Sequence, residues 1–448
     1  MAYSNSASVI TIRLQPRPLR ILFLLPAFLA ILGAWFVVRW YIGDTVSEYA
    51  TTNPDAAGDL ARMAARWAPD DAFVHWHLGA LAERNFSANN LAEALREYKT
   101  AVSLSPNDYR YWLELGRAFE ATGDIAAGER ALRRCVELAP AYSQPRWFFG
   151  NLLLREGKFD EAFQELNRSA DADAELRPHV FDLAWQIFDG DVNTIAKVAC
   201  PSPNVRVQFA IYLTKLGRYA DGMRIWTTLT PGERRAQSGL GEELKKSLIE
   251  GHQFHSALAV TRELSPDVED LPVAEQFRNG GFERTLTPLT FSWVIGSSSQ
   301  VQISFDARAH SGKRSVRISF NVPNQVESIN LSQTVVVEPS TQYRFECYVR
   351  TEKLNSSSTP QVAILDASDN TTLAASAQLP VGTNEWQRVA LDFKTKPNSD
   401  GLKLAIVRSP CGEGPICPIF GTIWYDDFNL QRLGGAGASR RESDTGQR

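Results

Sequence analysis

The chain has 448 residues, a hydrophobic content of 44% and a formal net charge of −4. At roughly 150 residues per domain, this length predicts about three structural units. The nearly balanced charge lacks the strongly basic surface by which proteins bind nucleic acid, so we expect no nucleic-acid partner. Five cysteines are too few for a fold held together mainly by disulfides.

The first predicted element is a membrane-spanning helix at residues 21–42. Its uncharged stretch ILFLLPAFLAILGAWFVV is followed by Arg39 and then by Trp40, Tyr41 and Ile42. Together these residues reach the roughly 20 that a bilayer span needs, and aromatic residues are typical of its ends. A cleaved signal peptide is the alternative, with an apolar core of about 7–15 residues before small residues. Because this stretch is longer and bulky, we favour an uncleaved signal anchor.

The charges around this helix predict its orientation. Arg13, Arg17 and Arg20 precede the helix, whereas Asp44 and Glu48 follow it. Since basic residues remain on the cytoplasmic side, we expect residues 1–20 to form a cytoplasmic tail and the chain after residue 43 to lie outside the cytoplasm. The simple anchor and the domain pairing described below favour a bacterial inner (cytoplasmic) membrane, with the bulk of the chain periplasmic or extracellular.

The middle of the chain repeats with a period of 34 residues. The segment YWLELGRAFEATGDIAAGERALRRCVELAP aligns with RWFFGNLLLREGKFDEAFQELNRSA, which brings Gly116 onto Gly150 and Gly123 onto Gly157. This pattern resembles the tetratricopeptide repeat, a helix–turn–helix unit. The resemblance implies that the packing and turn positions are Trp112, Leu115, Gly116, Phe119, Gly123, Leu132, Pro140, Gly150 and Gly157.

Weaker copies extend the repeats over residues 53–266. One runs from Phe73 to Pro106, and Gly217 and Gly251 are again 34 residues apart, each in a predicted turn. Ala57 to Pro69 reads as a second helix without a first. We therefore predict an all-α solenoid with a concave surface. Repeats of this family usually bind protein partners, but one sequence does not reveal the groove residues.

After residue 266 the pattern changes from helical to strand-like. Residues 267–278 are predicted to be a linker, residues 279–433 a β-sandwich of short strands with polar turns, and residues 434–448 a disordered tail. The motifs NGGFE, HSGKRSVRI, EWQRVALDF and IWYDDFNL follow in this order. They resemble carbohydrate-binding modules with a galactose-binding-like jelly roll. The resemblance implies a glycan or exopolysaccharide partner, although modules that bind no sugar share this fold.

The same resemblance implies a structural calcium ion. In the family, an opening glutamate, a turn before the second strand and closing aspartates often hold calcium, which prefers carboxylate and carbonyl oxygens. The matching positions here are Glu283, Ser311, Lys313, Asp426 and Asp427. The alternative is a hydrogen-bonded turn or a salt bridge with Lys313 or Arg314. No other cofactor is expected.

Two further predictions concern the β-sandwich. Trp386 stands where this fold usually carries a core tryptophan, so we expect it to pack in the interior, and stacking on a sugar is the alternative. Cys411 and Cys417 flank a loop with two glycines and a proline, which allows the close approach that a disulfide requires. A zinc site is the weaker alternative, because two thiols without a nearby histidine do not complete one.

No catalytic motif stands out in the sequence. It contains no G-x-S-x-G elbow, no Walker loop and no G-x-G-x-x-G, so we assign no catalytic residue and predict that the protein is not an enzyme. The fold class is multidomain, with a transmembrane helix, a tetratricopeptide-like solenoid and a jelly-roll sandwich. We predict an anchored scaffold. The alternatives are a purely structural organiser whose sandwich binds nothing, and a degenerate glycan-processing enzyme.

Overall fold

The computed structural model describes residues 17–52, 56–84, 88–266, 268–296, 300–320, 329–411 and 417–433. Residues 1–16 of the predicted cytoplasmic tail and the predicted tail 434–448 lie outside this described part. Helices come first and two β-sheets follow, which confirms the predicted fold class. The chain divides into two compact units, Met1–Ala199 and Cys200–Arg448, which are described separately.

The first unit is helical. Its helices are α1 (Arg17–Thr52), α2 (Ala57–Trp67), α3 (Ala72–Glu83), α4 (Ala88–Leu104), α5 (Tyr109–Ala121), α6 (Ile125–Leu138), α7 (Ser143–Arg155), α8 (Phe159–Ala172), α9 (Arg177–Ile187) and α10 (Val192–Val198), with a short 3-10 turn at Ala174–Leu176. α3 packs on α4, α5 on α6 and α7 on α8, so the repeats seen in the sequence are helical hairpins.

Glycine lets the two helices of each hairpin touch. A Cβ atom added to Gly116 would lie 2.6 Å from Cγ of Leu132, and one added to Gly150 would lie 2.7 Å from Cγ of Leu166. The preceding hairpin uses Tyr98 in the same way, because a Cβ on Gly79 would lie 2.6 Å from its ring. Any larger residue at these glycines would separate the helices or displace the partner side chain.

A second set of glycines forms the turn inside each hairpin. Gly123 and Gly157 have φ angles of +85° and +75°, and a Cβ atom added to either would meet nothing within 4 Å. Glycine is needed there for its left-handed backbone rather than for space. After the first of these turns, the Asp124 side chain accepts a hydrogen bond from the Ala127 amide and begins α6.

One polar contact recurs between successive hairpins and was not predicted from the sequence. Nε1 of Trp112 donates to the carbonyl of Pro106 at 2.8 Å, and Nε of Arg146 donates to the carbonyl of Pro140 at 2.9 Å. Nε2 of His75 lies 2.9 Å from the carbonyl oxygen of Pro69. The residue six positions after each proline therefore binds a carbonyl that the end of the preceding helix leaves without a helical partner.

The second unit contains helices and two five-stranded sheets. The helices are α11 (Pro203–Lys215), α12 (Tyr219–Thr227), α13 (Pro231–Ala236), α14 (Ser238–Glu250) and α15 (Phe254–Leu264). The strands are β1 (Val294–Ile295), β2 (Val301–Asp306), β3 (Ser315–Phe320), β4 (Leu331–Val336), β5 (Gln342–Asn355), β6 (Gln361–Asp366), β7 (Thr372–Ala375), β8 (Gly382–Lys394), β9 (Gly401–Val407) and β10 (Phe420–Arg432).

The strand orders are β1-β4-β9-β6-β7 and β2-β3-β10-β5-β8, and the paired strands are antiparallel. Aromatic side chains fill the core between the sheets. The ring of Phe282 lies 5.0 Å from that of Trp293 and 5.7 Å from that of Phe428, and all three residues are buried. This arrangement is the jelly-roll sandwich predicted from the strand pattern.

One predicted repeat turn differs from the structure. Gly217 has a φ of +76°, as a left-handed turn requires, but the corresponding left-handed residue before α15 is His252, with a φ of 57°. Gly251 has a φ of −84° and instead packs against Tyr219, whose ring would lie 2.4 Å from an added Cβ. The assignment of this turn to Gly251 is therefore wrong by one residue.

The beginning of α15 packs against the β-sandwich. A Cβ on Gly401 would lie 2.7 Å from the ring of Phe254, and the His255 amide donates to Oδ2 of Asp400 at 2.9 Å. The imidazole of His255 also hydrogen-bonds Asp400, which raises the pKa of that histidine. The last helix of the predicted solenoid and the sheets thus belong to the same compact unit.

Candidate functional site

The repeat positions read from the sequence lie inside the hairpins or at their turns. Leu115 and Leu132 are buried, while Trp112 and Phe119 are partly buried against the hydrophobic clusters of the same hairpins. Pro140 is exposed and acts through its carbonyl rather than by packing. These residues hold the scaffold together, so a partner protein would have to contact other side chains.

The surface of the hairpins carries charged side chains held in pairs. Glu129 accepts hydrogen bonds from Lys158 at 2.9 Å and Arg133 at 2.7 Å, which lowers the pKa of its carboxyl. Burial raises the pKa of Glu114, although Arg117 donates to it at 2.6 Å. The guanidinium of Arg117 also lies 5.0 Å from the ring centroid of Phe148 on the next hairpin. This surface offers mixed charge and partly covered aromatic rings.

The structure brings the five predicted calcium residues together. Three carboxylates bind the turn 310–314, and we use the name acidic turn for this turn together with Glu283, Asp426 and Asp427. Oε1 of Glu283 accepts hydrogen bonds from the amides of Lys313 at 2.7 Å and Arg314 at 2.9 Å. Two further carboxylates bind the same turn from strand β10. Oδ2 of Asp426 accepts from the amide of Ser311 at 3.3 Å, and Oδ1 of Asp427 accepts from its hydroxyl at 2.7 Å.

Glycine allows the backbone to approach these carboxylates. Gly312 has a φ of +67°, and a Cβ added there would lie 2.3 Å from Oε1 of Glu283. A Cβ added to Gly281 would lie 3.5 Å from Oδ1 of Asp427 and 3.8 Å from Oδ1 of Asp426. The distances at Gly281 are ordinary van der Waals contacts, so only at Gly312 does the approach to a carboxylate require glycine.

Asp426 is the buried carboxylate of the acidic turn. It is fully buried, and burial raises the pKa of its carboxyl to about 6, while hydrogen bonds from amides such as that of His310 oppose this shift. Within the described part of the chain, no three His, Cys, Asp or Glu side chains form a group that could hold a metal ion. The observed arrangement is a hydrogen-bonded turn. Calcium binding, which also uses carbonyl and hydroxyl oxygens, stays a prediction.

An aromatic cluster lies next to the acidic turn. We use this name for His310, Tyr348 and Trp386. The ring of His310 stacks on that of Tyr348 at 3.5 Å with an angle of 11°, and it meets the edge of Trp386 at 5.8 Å. Nδ1 of His310 lies 2.7 Å from Oδ2 of Asp427. The acidic turn therefore holds one ring of the cluster in place.

Trp386 does not pack in the core, so that prediction is wrong. It lies on the outer face of the sheet β2-β3-β10-β5-β8, and the interior tryptophan is Trp293. The sequence did contain a signal, because Val389, Leu391 and Phe393 contact the core. Side chains alternate between the two faces of a strand. Trp386 is an odd number of positions before each of these three residues, so alternation places it on the outer face.

Ion pairs cover much of the same outer face. Nε and Nη2 of Arg344 each donate to Asp392 at 2.7 Å, and Arg308 donates to Glu352 at 2.7 Å. The guanidinium of Arg308 also lies 4.6 Å from the ring centroid of Trp424, which is only 3% exposed. Of the tryptophans on this face, Trp424 is therefore shielded, whereas Trp386 is half-buried.

Cys411 and Cys417 form a disulfide, with their Cα atoms 5.4 Å apart. Residues 412–416 between them lie outside the described part of the chain. A guanidinium nitrogen of the buried Arg408 donates to the carbonyl of Cys417 at 2.7 Å, and burial lowers the pKa of this arginine. The disulfide thus lies beside a buried cation where β9 ends.

Two family models match the chain. The model described as a carbohydrate binding domain matches residues 274–411, and the model described as a tetratricopeptide repeat matches residues 109–142. The chain therefore has a tetratricopeptide-like repeat region followed by a carbohydrate-binding-module-like jelly roll. Both families are non-catalytic binding modules. Tetratricopeptide repeats generally bind protein partners, and the jelly roll suggests carbohydrate binding.

Curated relatives match about a fifth of the chain. DnaJ homolog subfamily C member 3 of Bos taurus is 32% identical over 98 residues, which cover 22% of this chain and 19% of that protein. Superkiller protein 3 of Schizosaccharomyces pombe is 26% identical over 93 residues, which cover 21% of this chain and 7% of that protein. The chain therefore spans about a fifth or less of the length of these relatives.

Two solved structures are similar to parts of the chain. A structure titled "CBM4 structure and function" has 15% identity and a TM-score of 0.27, and the match covers 35% of this chain and 99% of that one. A crystal structure of MamA protein has 13% identity and a TM-score of 0.28, and the match covers 50% of this chain and 96% of that one.

Proposed function

We propose that the protein is a membrane-anchored scaffold without enzymatic activity, whose repeats bind protein partners and whose jelly roll binds a glycan or exopolysaccharide. The observation that carries this proposal is the presence of two kinds of binding module on one chain behind an apolar helix. Such a chain would hold a polymer and its protein partners at one membrane. We place it in a bacterial inner membrane, with its bulk in the periplasm or outside the cell.

Membrane anchorage rests on α1. Among the described residues, only the stretch Leu24–Ala50 is long and apolar enough to cross a bilayer, and a signal sequence near an N-terminus would have the same properties. Arginines before the helix and acidic residues after it favour a cytoplasmic N-terminus. Fusion of a reporter active only outside the cytoplasm to the C-terminus should give signal. Signal from a C-terminal reporter that is active only in the cytoplasm would show that the topology is the opposite.

Glycan binding is best supported by the aromatic cluster. Sugar rings stack on aromatic faces, and Tyr348 and Trp386 both contact His310 on the outer face of the sheet β2-β3-β10-β5-β8, at ring angles of 11° and 68°. We expect the full chain in detergent to be retarded in native gels that contain at least one polysaccharide of a broad panel. Tyr348→Ala and Trp386→Ala should each weaken retardation about tenfold, as expected for loss of roughly 1–1.5 kcal/mol of aromatic contact.

The control for this experiment is Phe420→Ala. Phe420 is 44% exposed and begins the same strand, β10, but it pairs with Asn355 at the end of the sheet away from Asp426. It should leave retardation unchanged. Equal losses in all three variants would point to unfolding or to a different surface, and not to the aromatic cluster.

The structural organiser is the second candidate function. The ion pairs and the shielded Trp424 favour it, because paired charges on a sheet face leave fewer groups free for sugar hydroxyls. It predicts no retardation by any polysaccharide in a broad panel. A degenerate glycan-processing enzyme would instead shorten the polysaccharide, which size-exclusion chromatography after incubation would detect.

We also propose that the acidic turn binds calcium through Glu283, Asp426, Asp427 and oxygen atoms near Ser311 and Lys313. Support comes from the buried Asp426, since a buried carboxylate is costly unless it is paired or bound to a metal. A bound cation would keep this carboxylate ionised and hold the turn that carries His310. The calcium dependence of stability tests this proposal, as described in the Discussion.

A further inference from the structure

The burial of side chains changes abruptly along α1. Every side chain from Leu24 to Val38 is exposed. From Arg39 onward one face is covered, and Gly43, Ser47 and Ala50 are buried. These positions are four and three residues apart, which is the spacing of one helix face. The first part of α1 therefore has the all-round apolar surface of a membrane helix, and the last part packs like a helix of a folded protein.

The last part of α1 packs on α2 and α3. A Cβ added to Gly43 would lie 2.5 Å from Cβ of Ala68, at the end of α2. The hydroxyl of Ser47 hydrogen-bonds Nδ1 of His77 in α3 at 2.8 Å, and both residues are buried. Burial lowers the pKa of His77, which favours the neutral ring in this contact. The close approach at Gly43 is of the same kind as that at Gly116 in the repeats.

This packing completes the first hairpin. In the sequence, Ala57 to Pro69 appeared as a second helix without a first, and α2 indeed buries Ala57, Ala61 and Ala64 on one face. The structure supplies its partner from α1, with no break in the helix between the apolar part and the packed part. Within the described residues of α1, the apolar segment therefore continues directly into the helix that packs on α2.

A charged contact marks where the apolar part ends. Arg39 forms a salt bridge with Asp70 in the turn between α2 and α3. Ionised groups are costly in the hydrocarbon core of a bilayer, so this turn belongs at or outside the lipid headgroups. At 1.5 Å per residue, Gly43 lies only about 6 Å farther along the helix. The first hairpin therefore begins directly at the membrane surface.

Large apolar side chains remain exposed at this level. Trp40 is 48% exposed and Trp67, next to the Ala68 that contacts Gly43, is 41% exposed. Met63, one turn before Trp67 on α2, is 42% exposed. Tryptophan at this depth is typical of the interface between lipid and water, and the apolar surface of α1 continues into these residues.

We infer that α1 is both the membrane anchor and the first helix of the repeat solenoid, and that the exposed Trp40, Met63 and Trp67 of the α1–α2 hairpin dock into the lipid interface. This inference rests on the proposed membrane anchorage. It deepens that proposal, because the first hairpin of the repeats is then held directly at the bilayer surface.

Two glycines of the same helix provide a matched test of the shared helix. Gly43→Leu places a side chain against Ala68, whereas Gly33→Leu adds one where nothing lies within 4 Å. In lipid nanodiscs, we expect Gly43→Leu to speed amide hydrogen exchange in α2 and α3 about tenfold and Gly33→Leu to leave it unchanged. The milder Gly43→Ala should give a smaller increase if the leucine variant does not fold.

Lipid docking has its own measurement. A nitroxide label on the variant Trp67→Cys should be more accessible to membrane-soluble oxygen than to an aqueous nickel complex. The same label on Ser103→Cys, on the exposed side of α4, should show the reverse. The native Cys135, Cys200 and Cys347 are buried and should not react. Equal accessibility at both positions would overturn lipid docking.

Alkaline extraction of the wild-type protein separates failure of the inference from failure of the proposed function. Release from the membrane would overturn anchorage, and lipid docking with it. Retention of the wild type, together with equal hydrogen exchange in the two leucine variants, would leave anchorage standing and overturn the shared helix.

Discussion

The repeats and the β-sandwich are built on contacts of different range. In the repeats, the close contacts join Gly116 to Leu132 and Gly150 to Leu166, each within one hairpin. In the sandwich, the amide of His310 binds a carboxylate of Asp426, 116 residues later. Contacts between near neighbours leave a period in the sequence, whereas contacts between distant residues leave only local strand patterns.

This difference also predicts how each region loses stability. A hairpin contacts mainly its neighbours, so damage to one should stay local. The sandwich has one core in which Phe277, Phe282, Trp293 and Phe428 contact each other. Loss of one of these rings should therefore affect the whole module.

We expect Phe282→Ala to have the largest effect. Its ring is fully buried among Trp293 and Phe428, and removal of a buried phenylalanine costs about 3–5 kcal/mol in unfolding free energy. Amide hydrogen exchange of the full chain should speed up throughout the strands but not in α5–α8. Phe420→Ala, at a 44% exposed ring, is the control and should change little. An increase in exchange that is confined to β2 and β10 would contradict a single cooperative core.

Gly116→Val should have a smaller and more local effect. A valine there would meet Leu132 at 2.6 Å, and overpacking of this kind costs about 1–3 kcal/mol in unfolding free energy. Faster exchange should appear in α5 and α6 and decline toward α8. Gly239→Val provides a helical control, because nothing lies within 4 Å of an added Cβ there. Equal destabilisation by both variants would mean that helix propensity, and not overpacking against Leu132, causes the effect.

Removal of the disulfide should cost about 2 kcal/mol in unfolding free energy, since the cross-link closes only a short loop. The double variant Cys411→Ser, Cys417→Ser should melt at lower temperature, with the change confined to the sandwich. Before this comparison, mass spectrometry of non-reduced peptides should detect the Cys411–Cys417 disulfide in protein made in an oxidising compartment. Detection of free thiols at both positions would show that this cross-link does not form.

The pH dependence of Asp426 should have the smallest effect. Its folded pKa of about 6 exceeds its ordinary value of 3.8, so its contribution to stability is complete below about pH 4 and is lost as the pH rises through 6. Without calcium, the sandwich should lose on the order of 1–2 kcal/mol between pH 4.5 and 7.5 from this group. Asp426→Asn should remove that part of the pH dependence.

The same stability measurement, repeated with and without calcium, tests the proposed calcium site. A cation bound to the ionised carboxylate would stabilise the sandwich more at pH 7.5 than at pH 4.5, and Asp426→Asn should abolish this gain. Equal melting temperatures in calcium and in chelator at pH 7.5 would leave a hydrogen-bonded turn and remove calcium from the proposal.

The sequence by itself determined the class of each region. The 34-residue spacing of Gly116 and Gly150 required similar hairpins, and the two-residue alternation after residue 300 required strands. The order of the strand motifs was enough to gather Glu283, the turn 310–314 and Asp426, because the resembled family brings the same positions together. The repeat spacing and the strand alternation follow from local geometry, which the sequence records residue by residue, whereas the gathering of the carboxylates was expected only through the family resemblance.

Only the tertiary structure decided which surfaces these elements share. It placed Trp386 outside the core beside His310, which comes from another part of the chain. It also moved one repeat turn from Gly251 to His252 and made the end of α1 the first solenoid helix through Gly43 and Ala68. Each outcome depends on which distant side chain fills a given space, and the free energy of that packing belongs to the pair and not to either residue's local sequence.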